Sequence, residues 1–146
     1  MTLDDDAESW DVPIVGYLVD QVWFSGRLYF IACDPASGWT VADLPQPIPT
    51  TKVAVGGTFT FTSSEGVEHS LDGGAPWAAL VPVLELRRVR IDSARVDRRG
   101  TLQIGFANGA VLVVAPVDRF ENWELVGPGT LWLAGTPGGG DPRLRL

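Results

Sequence analysis

Apolar and polar residues alternate with a period of two along most of this chain, the spacing of strands whose two faces meet different surroundings. The pattern is cleanest over residues 101–114. There Leu102, Ile104 and Phe106 share one parity against Gln103 and Gly105, and Ala110, Leu112 and Val114 resume it after Asn108-Gly109. Asn-Gly between two alternating runs predicts a tight hairpin turn with both central residues at positive φ. Val111 and Val113 are apolar as well. The returning strand is therefore expected in the middle of a sheet, covered on both faces.

Other stretches carry the same signal. Val22, Phe24, Leu28 and Phe30 share one parity around Ser25-Gly26, which predicts either two strands or one long strand with a bulge. Val53, Val55, Phe59 and Phe61 alternate with Lys52, Ala54, Thr58, Thr60 and Thr62. One face is apolar and the other threonine-rich, as in a sheet with one side in water. Residues 63–66 read as a turn into a strand at 67–71. A parity change between Val89/Ile91 and Ala94/Val96 predicts a bulge near Ser93. A last hairpin is expected from 123–126 to 131–133 across Gly127-Pro128-Gly129. DPASGW (34–39) reads as a turn and LPQPIP (44–49) as an extended connector.

One segment departs from the two-residue period. Trp77, Leu80, Val81 and Leu84 fall at i, i+3, i+4 and i+7, one face of an α-helix. Pro76 suits a first helical turn, whereas Pro82 is expected to kink or shorten the helix. The expected fold class is thus mainly β (α+β): an antiparallel meander forming a curved sheet, a sandwich or a half-open barrel, with one helix at about 76–86. The organisation reads as an acidic tail (1–11), a single β-rich domain (12–135) and a flexible glycine-rich tail (136–146). The strand pairs before and after the helix are weakly alike, as two joined meanders.

Composition narrows the function classes. A chain of 146 residues with 45% hydrophobic residues can bury a single core unaided. No apolar run reaches the roughly 20 residues of a membrane span, and the acidic start is unlike a secretory signal. A cytoplasmic protein with no membrane partner is expected. The net charge is −7, unevenly spread. Residues 1–86 hold twelve acids against Arg27 and Lys52, while residues 87–99 hold six arginines against Asp92 and Asp97. An acidic chain is repelled by a phosphate backbone, so general nucleic-acid binding is not expected.

Candidate chemistry is sparse. His69 is the single histidine, and Glu68 and Asp72 have the wrong strand parity to join it around a metal. Cys33 is the single cysteine; it forms no intramolecular disulfide and reads as a small buried hydrophobe. No serine lies in a nucleophile-elbow pattern, and the glycines lack the context of a phosphate loop. No catalytic, metal or cofactor site is expected and the chain reads as a non-enzyme. Glu121 and Glu124 are the carboxylates an enzymatic alternative would use.

Two features point outward. Arg88, Arg90 and Asp92 share a parity, giving either Arg–Asp pairs on a solvated face or a stripe that binds carboxylates. Six tryptophans is a high number for this length. Trp77 and Trp123 fit the core, whereas Trp23 and Trp132 have the opposite parity to the apolar face of their strands. These two either lie beneath a second layer or are exposed, as at protein interfaces. With Arg119, Glu121 and Glu124 near turn ends, the candidate binding surface comprises Trp23, Trp132, Arg88, Arg90, Arg119, Glu121 and Glu124. The expected function is protein binding through an acidic, Trp-containing surface, immunity- or inhibitor-like in its most concrete form, with a basic partner. A homodimer is compatible with it. The alternative is a small-molecule binder in which Arg88 or Arg90 meets an anionic group.

The C-terminal half carries a further pattern. Gly100, Leu102, Ile104, Phe106, Asn108 and Gly109 are followed by Phe120, Glu121, Trp123, Glu124 and Leu125, then Pro137, Gly138 and Gly139. This order resembles a domain-of-unknown-function family of small bacterial proteins. The final GGGDPRLRL departs from that family's apolar, Trp-terminated end. The resemblance implies a fold and leaves activity open.

Overall fold

The computed structural model describes residues 3, 4, 6–34, 50–127 and 131–145. The connector expected at 44–49, most of the turn expected at 34–39 and the tip of the last hairpin lie outside the described residues. Two antiparallel six-stranded sheets make up the fold. The first contains β1 (Ser9–Asp11), β5 (Thr58–Thr62), β6 (Glu68–Asp72), β7 (Ile91–Asp97), β8 (Leu102–Phe106) and β9 (Val111–Val114), in the order β1-β7-β8-β9-β5-β6. The second contains β2 (Leu18–Phe24), β3 (Leu28–Cys33), β4 (Thr50–Val55), β10 (Trp123–Val126), β11 (Trp132–Ala134) and β12 (Arg143–Arg145), in the order β12-β11-β10-β4-β3-β2.

The inward parities of both sheets meet in one core. Phe61, Ile104 and Leu112 come from the first sheet and Leu28, Trp123, Leu125 and Leu133 from the second, all essentially without exposure. The result is a sandwich rather than a closed barrel. The chain passes from one sheet to the other in three places: β1 leads into β2, β4 runs through Gly56-Gly57 into β5, and β9 leads through residues 115–122 into β10. Sheet-switching bends of this kind tie two layers together. The two meanders suggested by the sequence are accordingly mixed between the sheets. Strands also occupy parts of both expected tails, with Trp10 of β1 buried and β12 paired to β11.

The helix differs from expectation. Trp77–Leu86 is a 3-10 helix, here η1, and buries Leu80, Val83 and Leu86. Those positions are three apart, the repeat of a 3-10 helix, in place of the α spacing read from the sequence. Pro82 has no N–H to give an α-helical ladder. Trp77, expected in the core, is 67% exposed, and Val81 and Leu84 also face out. η1 packs against β2 and β6, one edge strand of each sheet, and its buried side chains complete the core between them.

The hairpin at Asn108-Gly109 also forms differently. Gly109 has φ of +89°, whereas Asn108 stays at negative φ. Phe106 N–H bonds the Ala110 carbonyl and Gly109 N–H the Phe106 carbonyl, while Asn108 Oδ1 accepts from Ala110 N–H. This is a three-residue loop closing on a left-handed glycine, with the Asn side chain bracing the turn. β9 is central, as expected, but Val111 and Val113 are half-buried on an outer face otherwise lined by Thr60, Thr62 and Gln103. The bulge expected near Ser93 is present.

Candidate functional site

Among the described residues, the two exposed tryptophans, Trp23 and Trp77, lie on β2 and η1, with exposed Val81 and Leu84 also on η1. β2 starts beside residues 88–90: Val19 N–H donates to the Val89 carbonyl and Arg88 N–H to the Val19 carbonyl. A register shift follows between Val19 and Gln21, so the strand's hydrogen-bonding parity changes there. At the far end Ser25 N–H bonds the Arg27 carbonyl across the hairpin. Hydrogen-bonding direction alternates along an antiparallel strand. Both ends therefore agree that Gln21 and Trp23 bond toward β3, while Val22 and Phe24 direct N–H and C=O away from the sheet.

η1 runs antiparallel to this edge. Gly74, before the helix, approaches the Gly26 carbonyl, and Arg88, after it, bonds Val19. The outward residues Trp77, Val81 and Leu84 thus follow the length of β2. Trp23 is 48% exposed, with its indole Nε1 donating to Gln21 Oε1 at 2.7 Å. A hollow of about 300 Å³ separates strand from helix, lined by Gln21, Val22, Trp23, Leu84 and Arg87. Arg87 is exposed and makes no ion pair among the described residues. Arg88 adopts φ of +70° as the chain leaves η1, and its guanidinium lies 3.9 Å from Asp20.

The residues singled out from sequence fall in three places. Trp23 belongs to the β2–η1 strip, with Arg88 at its end and exposed Arg90 bridged to Leu18. Glu124 and Trp132 lie on the outer face of the second sheet. The register carries a row from Gln21 through Ile31, Lys52 and Val126 to Trp132 and Arg145. Trp132 is half-buried beneath the Arg145 guanidinium, 4.2 Å from its ring centre, and Lys52 stands 5.4 Å above Tyr29. Trp132 and Tyr29 thus each have a cation beside them. Glu121 pairs with Arg143 at 3.0 Å, and Arg119 sits in the loop before β10.

Arg119 borders a second region. A hollow of about 390 Å³ on the outer face of the first sheet is lined by Thr58, Thr60, Ser70, Asp72 and Val113, among others. It adjoins another of about 310 Å³ that shares Thr58 and Asp72 and adds Asp118, Arg119 and Phe120. Both are open, with polar groups set among apolar surface. Among the described residues, no group of three or more His, Cys, Asp or Glu is placed to hold a metal ion. Cys33 is buried; burial, then the carboxylates of Asp20 and Asp34, push its thiol pKa up.

Sequence reasoning missed Trp77, Val81 and Leu84 as surface residues because it assigned η1 an α-helical period. The signal that could have found them is Pro82, which disfavours an unbroken α-helix.

The motif-bearing residues of the C-terminal half are largely structural. Leu102, Ile104, Phe106 and Trp123 are buried, and Asn122 donates from Nδ2 to the carbonyls of Thr58 and Ala115, both at 2.8 Å. Residues 10–141 match a family of unknown function (DUF6188), and the chain belongs to that family. No curated protein and no solved structure matches the chain.

Proposed function

We propose that this protein is a non-enzymatic protein-binding module whose contact surface is the β2–η1 strip. The observation that carries this reading is the exposure of Trp23, Trp77, Val81 and Leu84 on two adjacent elements. Tryptophan loses little side-chain entropy on docking and contributes much of the energy at interfaces. Contiguous exposed apolar side chains mark such surfaces more often than chance. The acidic balance of the chain would steer a basic partner by long-range attraction, consistent with an inhibitor- or immunity-like role. The most direct test compares capture from the native host by the wild type and by the double variant Trp23→Ser/Leu84→Ser, at low and moderate salt. A partner retained by the wild type and lost with the variant, at unchanged melting temperature, supports the reading. A partner set indifferent to both substitutions overturns it.

A second reading, small-ligand binding, has one specific observation in its favour: the adjoining hollows around Thr58 and Asp72, where hydroxyls, carboxylates, Arg119 and the Phe120 ring converge. Small-molecule sites are concave with a few placed polar groups. Thermal-shift screening of wild type against Asp72→Asn/Arg119→Gln separates this reading from the first.

A further inference from the structure

We infer that Asn108 is a modification site: it deamidates spontaneously, at a rate set by the opening of its own turn, to an aspartate that the fold retains. The chain has two asparagines, and the structure separates their chemistry. Asparagine is a labile side chain, and a following glycine has no Cβ to shield the backbone nitrogen that attacks it. Asn122 precedes Trp123, is buried, and has its Nδ2 on two carbonyls. Asn108 precedes Gly109 in the turn between β8 and β9. It is half-buried beside an exposed glycine, and a Cβ on that glycine would meet nothing within 4 Å.

The reaction needs only water as co-reactant. The Gly109 nitrogen gives up its proton and bonds Asn108 Cγ; the Cγ–Nδ2 bond breaks and ammonia leaves. Water then opens the resulting cyclic imide at either carbonyl. Cleavage of the new N–Cγ bond gives aspartate, and cleavage of the original peptide bond gives isoaspartate.

Two native hydrogen bonds stand in the way. The nucleophile's own N–H, on Gly109, donates to the Phe106 carbonyl at 2.9 Å. Asn108 Oδ1 accepts from Ala110 N–H at 3.0 Å, which holds the carboxamide in place. Both bonds must open before Cγ and the nitrogen can meet. Each is modest in strength, and open space lies where a side chain on Gly109 would be, so local opening suffices without global unfolding. The products differ in fit. Aspartate keeps an oxygen for the Ala110 N–H. Isoaspartate adds a main-chain atom to a short loop whose ends are pinned by the bond from Phe106 N–H to the Ala110 carbonyl. The change also places a negative charge near the arginine stripe. Ala107 N–H donates to the carbonyl of Arg90, an exposed residue with no ion pair among the described residues.

The test incubates the full chain at physiological temperature in mildly alkaline, ammonium-free buffer, both native and in urea. Tryptic peptide 100–119 is followed by mass spectrometry, with chromatographic separation of aspartate and isoaspartate forms. Asn108 should convert in the native chain, about tenfold or more slower than in urea because two hydrogen bonds must first open. Peptide 120–143, which carries Asn122, should stay unchanged in the native chain. Asn108→Gln, whose longer side chain closes the imide ring far less readily, should leave peptide 100–119 unconverted. Asn108→Asp should melt within about 2 °C of the wild type, since the turn keeps its brace. Equal rates in native and unfolded chains would remove the control by the turn. No native conversion while the urea sample converts would show the turn locked. Either result overturns the inference. So does native conversion of Asn122 ahead of Asn108, conversion that persists in Asn108→Gln, or an Asn108→Asp variant that melts many degrees lower.

Discussion

The indole Nε1 of Trp123 donates to the carbonyl oxygen of Gly100 at 2.9 Å, inside the core and across 23 positions of sequence. Trp123 opens β10 in the second sheet, and Gly100 lies in the turn from β7 to β8 in the first. Their bond therefore joins the layers. Gly135 lies against the same ring, and a Cβ there would meet Nε1 at 2.6 Å. The turn at 137–140 closes over the other side of Gly100, with Gly140 N–H bonded to the Arg99 carbonyl. Residues recognisable as separate motifs in the sequence thus converge on one joint.

Trp123→Phe removes the donor and leaves both a void and an unpaired buried carbonyl. Large-to-small changes in cores and lost buried hydrogen bonds together suggest a cost of roughly 2–4 kcal/mol. Gly135→Ala displaces the ring and is expected to cost about 1–3 kcal/mol as overpacking. Urea unfolding measures both; midpoints unchanged for both variants would mean that the joint does not hold the sheets.

Asn122 clamps the corner where β4 becomes β5. Its Nδ2 bonds the carbonyls of Thr58 and Ala115, its buried Oδ1 has no hydrogen-bond partner among the described residues, and a Cβ on Gly57 would lie 2.7 Å from that oxygen. Asn122→Ala is expected to destabilise by about 2–3 kcal/mol through the two stranded carbonyls. Gly57→Ala also destabilises, but less in the Asn122→Ala background, where the obstructing oxygen is gone. A double-mutant cycle should show coupling on the order of 0.5–3 kcal/mol; strict additivity would refute the clamp.

Much of this fold was legible because period-two alternation reports directly which residues face a core. Leu102, Ile104, Phe106, Leu112 and Val114 follow their parity and are buried. Parity fails where chain geometry leaves the strand or the α-helix. A three-residue repeat moved Val83 inward and Trp77 outward. The Asn108 side chain bonded the Ala110 amide, so the turn closed with positive φ at Gly109 alone. Candidate site residues were legible singly and not as a group, because parity says that Trp23 faces out but not which element lies beside it. The strip depends on η1 aligning with β2, a contact between residues about sixty positions apart. Trp132 faces out as well, yet it is covered by Arg145 through pairing with the last strand, which the sequence read as tail.

Cys33 gives the chain a pH dependence of known sign. Its thiol is held above its ordinary pKa by burial, then by Asp20 and Asp34. The unfolded chain therefore releases that proton first as pH rises, and folded stability declines from about pH 8.5 upward. Below that range both states keep the proton and the group contributes no slope. Cys33→Ala should flatten the alkaline limb of a stability–pH curve. Native Cys33 should also resist a thiol reagent at pH 7.5 and react fully in guanidinium. Rapid labelling of the native protein would contradict its burial.

The register of η1 can be decided by two valines two positions apart. An α-helical face built on Trp77 would bury Val81 and leave Val83 at its margin, whereas the three-residue repeat places Val83 at zero exposure and Val81 at 44%. Truncating a fully buried valine leaves a cavity between the sheet edges, at a cost of about 1.5–3 kcal/mol. Truncating one that faces water should fall within about 0.5 kcal/mol. Val83→Ala should therefore lower the urea midpoint clearly while Val81→Ala leaves it nearly unmoved. The reverse order would return Val81 to the core and break the line of exposed side chains beside β2. The same pair thus tests the helix and the surface that depends on it, without knowledge of any partner.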